Sequence, residues 1–253
     1  MSTLPFDAAS SAPIRRQVDS ATSCLLLHGL TGAPARDLWF LADALSSHGI
    51  SVVAPLLTGH GRTWKELEAA TAEAWQNDAL VGLDDALSMG RHVFVAGLSM
   101  GGTLALYLGE HRPEIAGLIT INAPVGLEDP MMKLVPLLRR FQKNRPKRPP
   151  DVADAGIALP DLGFNSMEAV YQFERLVRGV RANLGMITQP LLAFRSTQDH
   201  VVQPRNAEII LEHVNSRVKS IVTLEHSYHL ATIDYDREEI AATTRQFIGM
   251  TPR

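Results

Sequence analysis

Gly97-Leu98-Ser99-Met100-Gly101-Gly102 is the segment of this chain with the clearest capacity for chemistry. A serine hydroxyl is a weak nucleophile unless a turn presents it and a neighbouring base takes its proton. The spacing Gly-x-Ser-x-Gly meets the first need. The apolar run His92-Val93-Phe94-Val95-Ala96 before it reads as a strand, and Met100 to His111 after it reads as a helix. Ser99 then sits on a sharp strand-to-helix turn, where glycines two residues to either side keep β-carbons off the neighbouring backbone. The start of the helix also aims free N–H groups at any negative charge that develops there. A second Gly-bracketed segment, His28-Gly29-Leu30-Thr31-Gly32, directly follows another apolar run. Carboxylates and histidines that could activate a serine come late in the chain: Asp199, His226, His229 and Asp234. His48, His60, His92, His111, His200 and His213 are scattered without the spacing of metal ligands.

The elements that must hold these residues alternate in type. Ser23 to Leu27, Ile50 to Ala54, His92 to Ala96, Ile115 to Ile121, Leu191 to Phe194 and Val218 to Leu224 read as strands. Several are continuously apolar, as strands covered on both faces must be. Helical spacing fills the intervals: Ala35 to His48, Thr63 to Ser88, Met100 to His111, Pro204 to His213 and Asp236 to Ile248. This alternation predicts an α/β fold, a mostly parallel sheet with helices on both faces. It stops between Pro124 and Gln189. That stretch holds six prolines between Pro130 and Pro160, and two amphipathic patches, Met131 to Phe141 and Ser166 to Asn183. It reads as an inserted cap over the strand ends, where parallel sheets bind ligands. The expected organisation is an N-terminal extension over 1–22, a core over 23–124 and 190–253, and a cap over 125–189.

Composition narrows the function classes. The 253 residues carry 24 Lys and Arg against 27 Asp and Glu, a net charge of −3. That balance argues against a general nucleic-acid binder. One cysteine, Cys24, inside an apolar run, excludes an internal disulfide and reads as a small core residue. Met1 to Ser23 has no apolar signal segment, and nowhere do 18 apolar residues run together, so a cytoplasmic protein is expected. The cap is unlike the rest. Lys133, Arg139, Arg140, Lys143, Arg145, Lys147 and Arg148 fall between Lys133 and Pro150 with no acid among them. This run reads first as a solvated loop. Attraction to an anionic substrate or a weak contact with an anionic membrane are the sharper readings.

With His28-Gly29-Leu30 after the first strand and Ser99 after the third, the chain resembles the α/β-hydrolase superfamily. Its small bacterial carboxylesterases and monoacylglycerol lipases are the nearest in pattern. Ala54-Pro55-Leu56-Leu57-Thr58-Gly59-His60-Gly61 is similar to a structural loop of that group. Thr63-Trp64 with Trp75 and Asp78, and Ile119 to Pro124, are also similar. The Lys/Arg-Pro run of the cap matches nothing there. The resemblance implies the chain order nucleophile, acid, histidine. Asp199, followed by His200-Val201-Val202, fits the acid. Ser227-Tyr228-His229-Leu230 fits the histidine better than His226 does, and Asp234 falls after the histidine. Ser99, Asp199 and His229 are therefore the expected triad. The backbone N–H groups of Leu30 and Met100 are the expected oxyanion hole, and His28 is expected to brace its loop.

The implied reaction is hydrolysis of short- to medium-chain carboxylic esters, monoacylglycerols among them, through an acyl-enzyme and without metal or organic cofactor. Met131, Leu134, Leu138 and Phe173 of the cap are candidates to line the substrate pocket. The same triad can cleave thioesters, lactones or C–C bonds, or transfer acyl groups, because fold does not fix reaction. A catalytically silent binding module is the remaining class.

Overall fold

The computed structural model describes residues 6–126, 134–146 and 149–251. A seven-stranded sheet forms its centre. The strands are β1 (Ile14–Arg16), β2 (Thr22–Leu27), β3 (Ser51–Ala54), β4 (His92–Leu98), β5 (Gly117–Ile121), β8 (Leu191–Ser196) and β9 (Lys219–Leu224). Their order is β1-β3-β2-β4-β5-β8-β9, and all neighbours are parallel except β1, which runs antiparallel to β3. The six expected strands are all present. β1 lies within the stretch read as an extension, so this part of 1–22 closes a sheet edge. Arg15 and Arg16 pair there with Asp85 and Asp43, a charged edge that discourages further strand addition.

The helices are α1 (Pro34–Asp37), α2 (Trp39–Ser46), α3 (Trp64–Glu68), α4 (Ala72–Met89), α5 (Met100–His111), α6 (Val135–Leu138), α7 (Met167–Asn183), α8 (Arg205–His213) and α9 (Arg237–Met250). Two expected helices are each broken in two. The Thr63 to Ser88 pattern breaks because two threonines cap separate starts. Thr63 closes a capping box with Glu66, and the Thr71 hydroxyl accepts from the Ala74 N–H at 3.1 Å. The sheet splits the core into two apolar layers. Leu38, Leu41 and Leu45 with Ile240 and Ile248 cover one face. Trp75, Leu83, Leu104 and Leu108 cover the other.

The cap is less separate than the sequence implies. Within it β6 (Asn144–Pro146) pairs antiparallel with β7 (Phe164–Ser166), an element the prolines hide from sequence patterning. Helix α7, however, packs into the main core through Ala169, Phe173, Leu176, Val177 and Val180. A fully buried apolar side chain of this kind contributes about 1.5–3 kcal/mol, so lifting α7 off the core would cost on the order of 10 kcal/mol. It belongs to the scaffold. Among the described residues no helix is long and apolar enough to cross a membrane.

Candidate active site

Ser99 sits between β4 and α5 at φ 54° and ψ −120°, a strained conformation for a residue with a side chain. The surroundings enforce it. A β-carbon at Gly97 would come within 2.1 Å of the Gly101 backbone, and one at Gly101 within 1.9 Å of the Leu27 carbonyl oxygen. One at Gly102 would come within 2.5 Å of the Ala123 β-carbon. The turn can be this tight only with glycine at these positions. The Ser99 N–H donates to the Ile121 carbonyl at 2.9 Å, which ties the turn to β5.

Ser99, Asp199 and His229 come from three separate loops beyond the ends of β4, β8 and β9 and meet in space. Ser99 Oγ lies 2.9 Å from His229 Nε2, and His229 Nδ1 lies 2.8 Å from Asp199 Oδ2. The other carboxylate oxygen, Asp199 Oδ1, accepts the N–H groups of Val201 at 2.8 Å and Val202 at 2.7 Å. The Asp199 side chain is buried, so its charge is fixed in orientation and weakly screened. His226 is exposed, and among the described residues Asp234 makes no hydrogen bond to His229. Asp234 instead accepts the backbone N–H groups of Tyr228, Ala153, Asp154 and Tyr235.

The loop of His229 is held along its whole length. The N–H groups of His226 and Ser227 donate to Asp236 Oδ2, that of Tyr228 to Asp234, and that of His229 to Asp151. From below, Asn122 Nδ2 donates to the His229 carbonyl at 2.9 Å and to Ser196 Oγ at 2.9 Å. Ser196 Oγ in turn donates to the Tyr228 carbonyl at 2.9 Å. Asn122 takes a left-handed backbone, φ 48°, to do this, a conformation asparagine tolerates better than most residues.

Leu30 and Met100 flank the serine. Among the described residues neither backbone N–H donates to another protein group. The loop carrying Leu30 is braced by His28, which is fully buried. Its Nε2 accepts the Leu57 N–H at 3.1 Å, so Nδ1 carries the proton and donates to the Gly29 carbonyl at 2.9 Å. Burial holds this imidazole neutral, its pKa well below the usual histidine range. His60 packs edge-on against His28 and is pushed down to about 4, also by burial. Trp75 Nε1 and the Asp78 carboxylate clamp Thr58 from either side of its peptide, at 3.0 and 2.6 Å.

A cavity of about 450 Å³ opens over Ser99 and His229. Leu30, Val170, Phe173, Val202 and Leu230 are among its apolar lining. The cap also contributes polar lining that sequence patterning misses: Arg145, Asp151 and Asn165, with prolines 146, 149 and 150. The Lys/Arg-Pro run is thus partly pocket wall. Of the four expected cap contacts, Phe173 lines the cavity. Leu134 does not. The four-residue helix α6 turns Val135 inward and leaves Leu134 half exposed. Leu138 packs beside Val135, Met167 and Val170 in a small satellite cluster. Met131 lies outside the described residues.

A model of the serine aminopeptidase S33 family matches residues 19–236. A thermostable monoacylglycerol lipase of Bacillus sp. (strain H-257) is 36% identical over 232 residues, 89% of each chain. A carboxylesterase of Bacillus subtilis (strain 168) is 29% identical over 228 residues, 88% of this chain and 91% of that one. A solved structure described with LipS and LipT, two metagenome-derived lipolytic enzymes, superimposes at a TM-score of 0.91 and 31% identity, covering 98% and 99% of the two chains. The chain belongs to the serine aminopeptidase S33 family and is a hydrolase of the lipase and esterase kind, built on the α/β-hydrolase fold.

Proposed function

We propose that this protein is a serine carboxylesterase acting on short- to medium-chain esters, monoacylglycerols among them. The observation that carries the reading is the continuous Ser99–His229–Asp199 hydrogen-bond chain at the floor of a partly apolar cavity. Ser99 Oγ attacks the ester carbonyl while His229 Nε2 takes its proton. The carbonyl oxygen becomes an oxyanion between the N–H groups of Leu30 and Met100, where one such donor is worth about 2.7–4 kcal/mol of barrier. Asp199 keeps the proton on Nδ1 in the resting state and stabilises the imidazolium once it forms. The intermediate collapses, the C–O bond to the alcohol breaks, and the alcohol leaves with the proton from His229. Water then repeats the sequence on the acyl-serine, releasing the acid and restoring Ser99.

A cavity of about 450 Å³ lined by both apolar and polar residues supports a modest acyl chain joined to a hydroxylated alcohol. The names of the Bacillus relatives point the same way. Leu137 and Phe141 stand exposed beside Arg140 and Lys143 on the cap, which supports a weak contact with anionic lipid surfaces. Salt-sensitive binding to anionic vesicles is its expected signature. The main test is hydrolysis of p-nitrophenyl esters from acetyl to palmitoyl, with Ser99→Ala as control. An optimum at four to eight carbons and a silent mutant are the expected results. Activity that survives Ser99→Ala overturns the mechanism, and an optimum at long chains overturns the substrate range.

A further inference from the structure

Asp151 belongs to the cap, yet its carboxylate reaches the two loops that carry the acid and the base. Oδ2 accepts the His229 N–H at 3.1 Å and the His200 N–H at 3.1 Å. Oδ1 meets His200 Nδ1 at 2.8 Å. The Asp151 carbonyl accepts the Leu230 N–H at 3.0 Å, so one residue brackets both 229 and 230. The His200 ring, directly after Asp199, stands edge-on to Tyr228 with centroids 4.6 Å apart. The side chain of Asp151 is mostly buried, which strengthens these bonds relative to a solvated carboxylate.

We infer that Asp151 is a positioning residue for the reaction proposed above, on which this inference rests. It sets the backbone of His229 against that of the acid loop and thereby fixes Nε2 at hydrogen-bond distance from Ser99. The imidazole is attached to a loop with no regular secondary structure, and its two functional distances depend on where residue 229 lies. Asn122 fixes the carbonyl side of His229 and Asp151 its amide side. Without Asp151 the amide of a buried residue loses its acceptor, and residue 229 keeps only its carbonyl-side bond to Asn122, in a loop still tied upstream by Asp234 and Asp236. The ring would be displaced, not released, because the Asn122 bond persists. Displacements near 1 Å in catalytic groups cost roughly 100-fold in rate, so a loss of about 10- to 100-fold in kcat is expected, with KM nearly unchanged.

Two conservative variants separate position from charge. Asp151→Asn keeps an oxygen where Oδ2 accepts both backbone amides, but carries no charge. Asp151→Glu keeps the charge and moves the oxygens by a methylene. Kinetics on one p-nitrophenyl ester, with Asp151→Ala, His200→Phe and Ser99→Ala alongside, should rank kcat as wild type, then Asn and His200→Phe within about threefold, then Glu and Ala at least about tenfold down. Glu outperforming Asn would show that charge matters and overturn the inference. So would a kcat within twofold of wild type for Ala and Glu, or an effect on KM alone, which would make Asp151 a substrate contact. Should Asp151→Ala fail to fold, the Asn and Glu pair decides alone. A silent Ser99→Ala with wild-type Asp151 variants refutes only this inference. An active Ser99→Ala refutes the reading beneath it.

Discussion

Glu110, near the end of α5, gives a stability prediction with a definite sign. Its Oε1 is buried without a hydrogen-bond partner, and burial pushes the carboxyl up from 4.5 to about 8 against the weaker pull of Asn183. In the unfolded chain the same group titrates near 4.5. Between those two values the folded protein binds more protons than the unfolded one, so stability falls as pH rises through this window. Below it both states are protonated and no penalty exists; above about 8 the penalty is complete. Each pKa unit is worth about 1.36 kcal/mol, which sets an upper bound of about 5 kcal/mol. The carboxyl is only partly buried, and solvent screening reduces this to about 2 kcal/mol. Glu110→Gln has nearly the same shape and no charge to bury. It should match wild type near pH 4.5 and be more stable by about 2 kcal/mol at pH 9, roughly 4–8 °C in Tm for a chain of this size. Thermal and urea unfolding of both proteins across that range is the assay. A difference between the two that stays flat with pH refutes the reasoning.

Three other outcomes are expected. Gly101→Ala puts a β-carbon 1.9 Å from the Leu27 carbonyl oxygen, a main-chain neighbour that cannot swing aside. Urea titration should show a loss of at least about 3 kcal/mol, and wild-type stability would contradict the packing described. Cys24 is fully buried and its thiol is pushed up to about 12 by that burial. A disulfide reagent should find no reactive thiol in the native protein and one in denaturant; native labelling would show that β2 opens. Asp199→Asn should lower kcat by about 10⁴-fold, measured at saturating ester, because an amide there favours the wrong imidazole tautomer.

Much of the scaffold was legible because its signals are local. A buried parallel strand must be apolar along its length, and the runs at Leu25, Val93, Ile119 and Leu192 announce themselves. The Ser99 elbow is also local, since a serine bracketed by glycines between an apolar strand and a helix marks a turn too tight for β-carbons at those positions. The residues around it were found only as an order along the chain; their meeting is a tertiary event. Other features escaped for physical reasons. The strand Ile14–Arg16 is short, polar and one-sided, as a protected edge should be. The Lys/Arg-Pro run looks like a solvated loop because its charge dominates its composition, yet Arg145 and the nearby prolines face the cavity. Asp151 carries no motif, and Asn122 stood out only as part of the Ile119 to Pro124 stretch, since what matters is which backbone amides or carbonyls they reach across 78 and 107 residues of sequence.

The burial of α7 bears on how such an enzyme can change its substrate. An inserted segment between two strands looks like a module that could be exchanged whole between relatives. Here it is a composite. Arg145, Pro146, Pro149, Pro150 and Asn165 line the cavity, whereas Leu176, Val177 and Val180 belong to the main core and Phe173 serves both. A chimaera spliced at the ends of the insertion would inherit a foreign core face, while one spliced before Ser166 would keep that face but would have to retain Asp151, which holds the amide of His229. Specificity can therefore drift at the cavity-lining positions of the first part, provided the contacts of Asp151 are kept. The second part is tied to the ancestry of the scaffold.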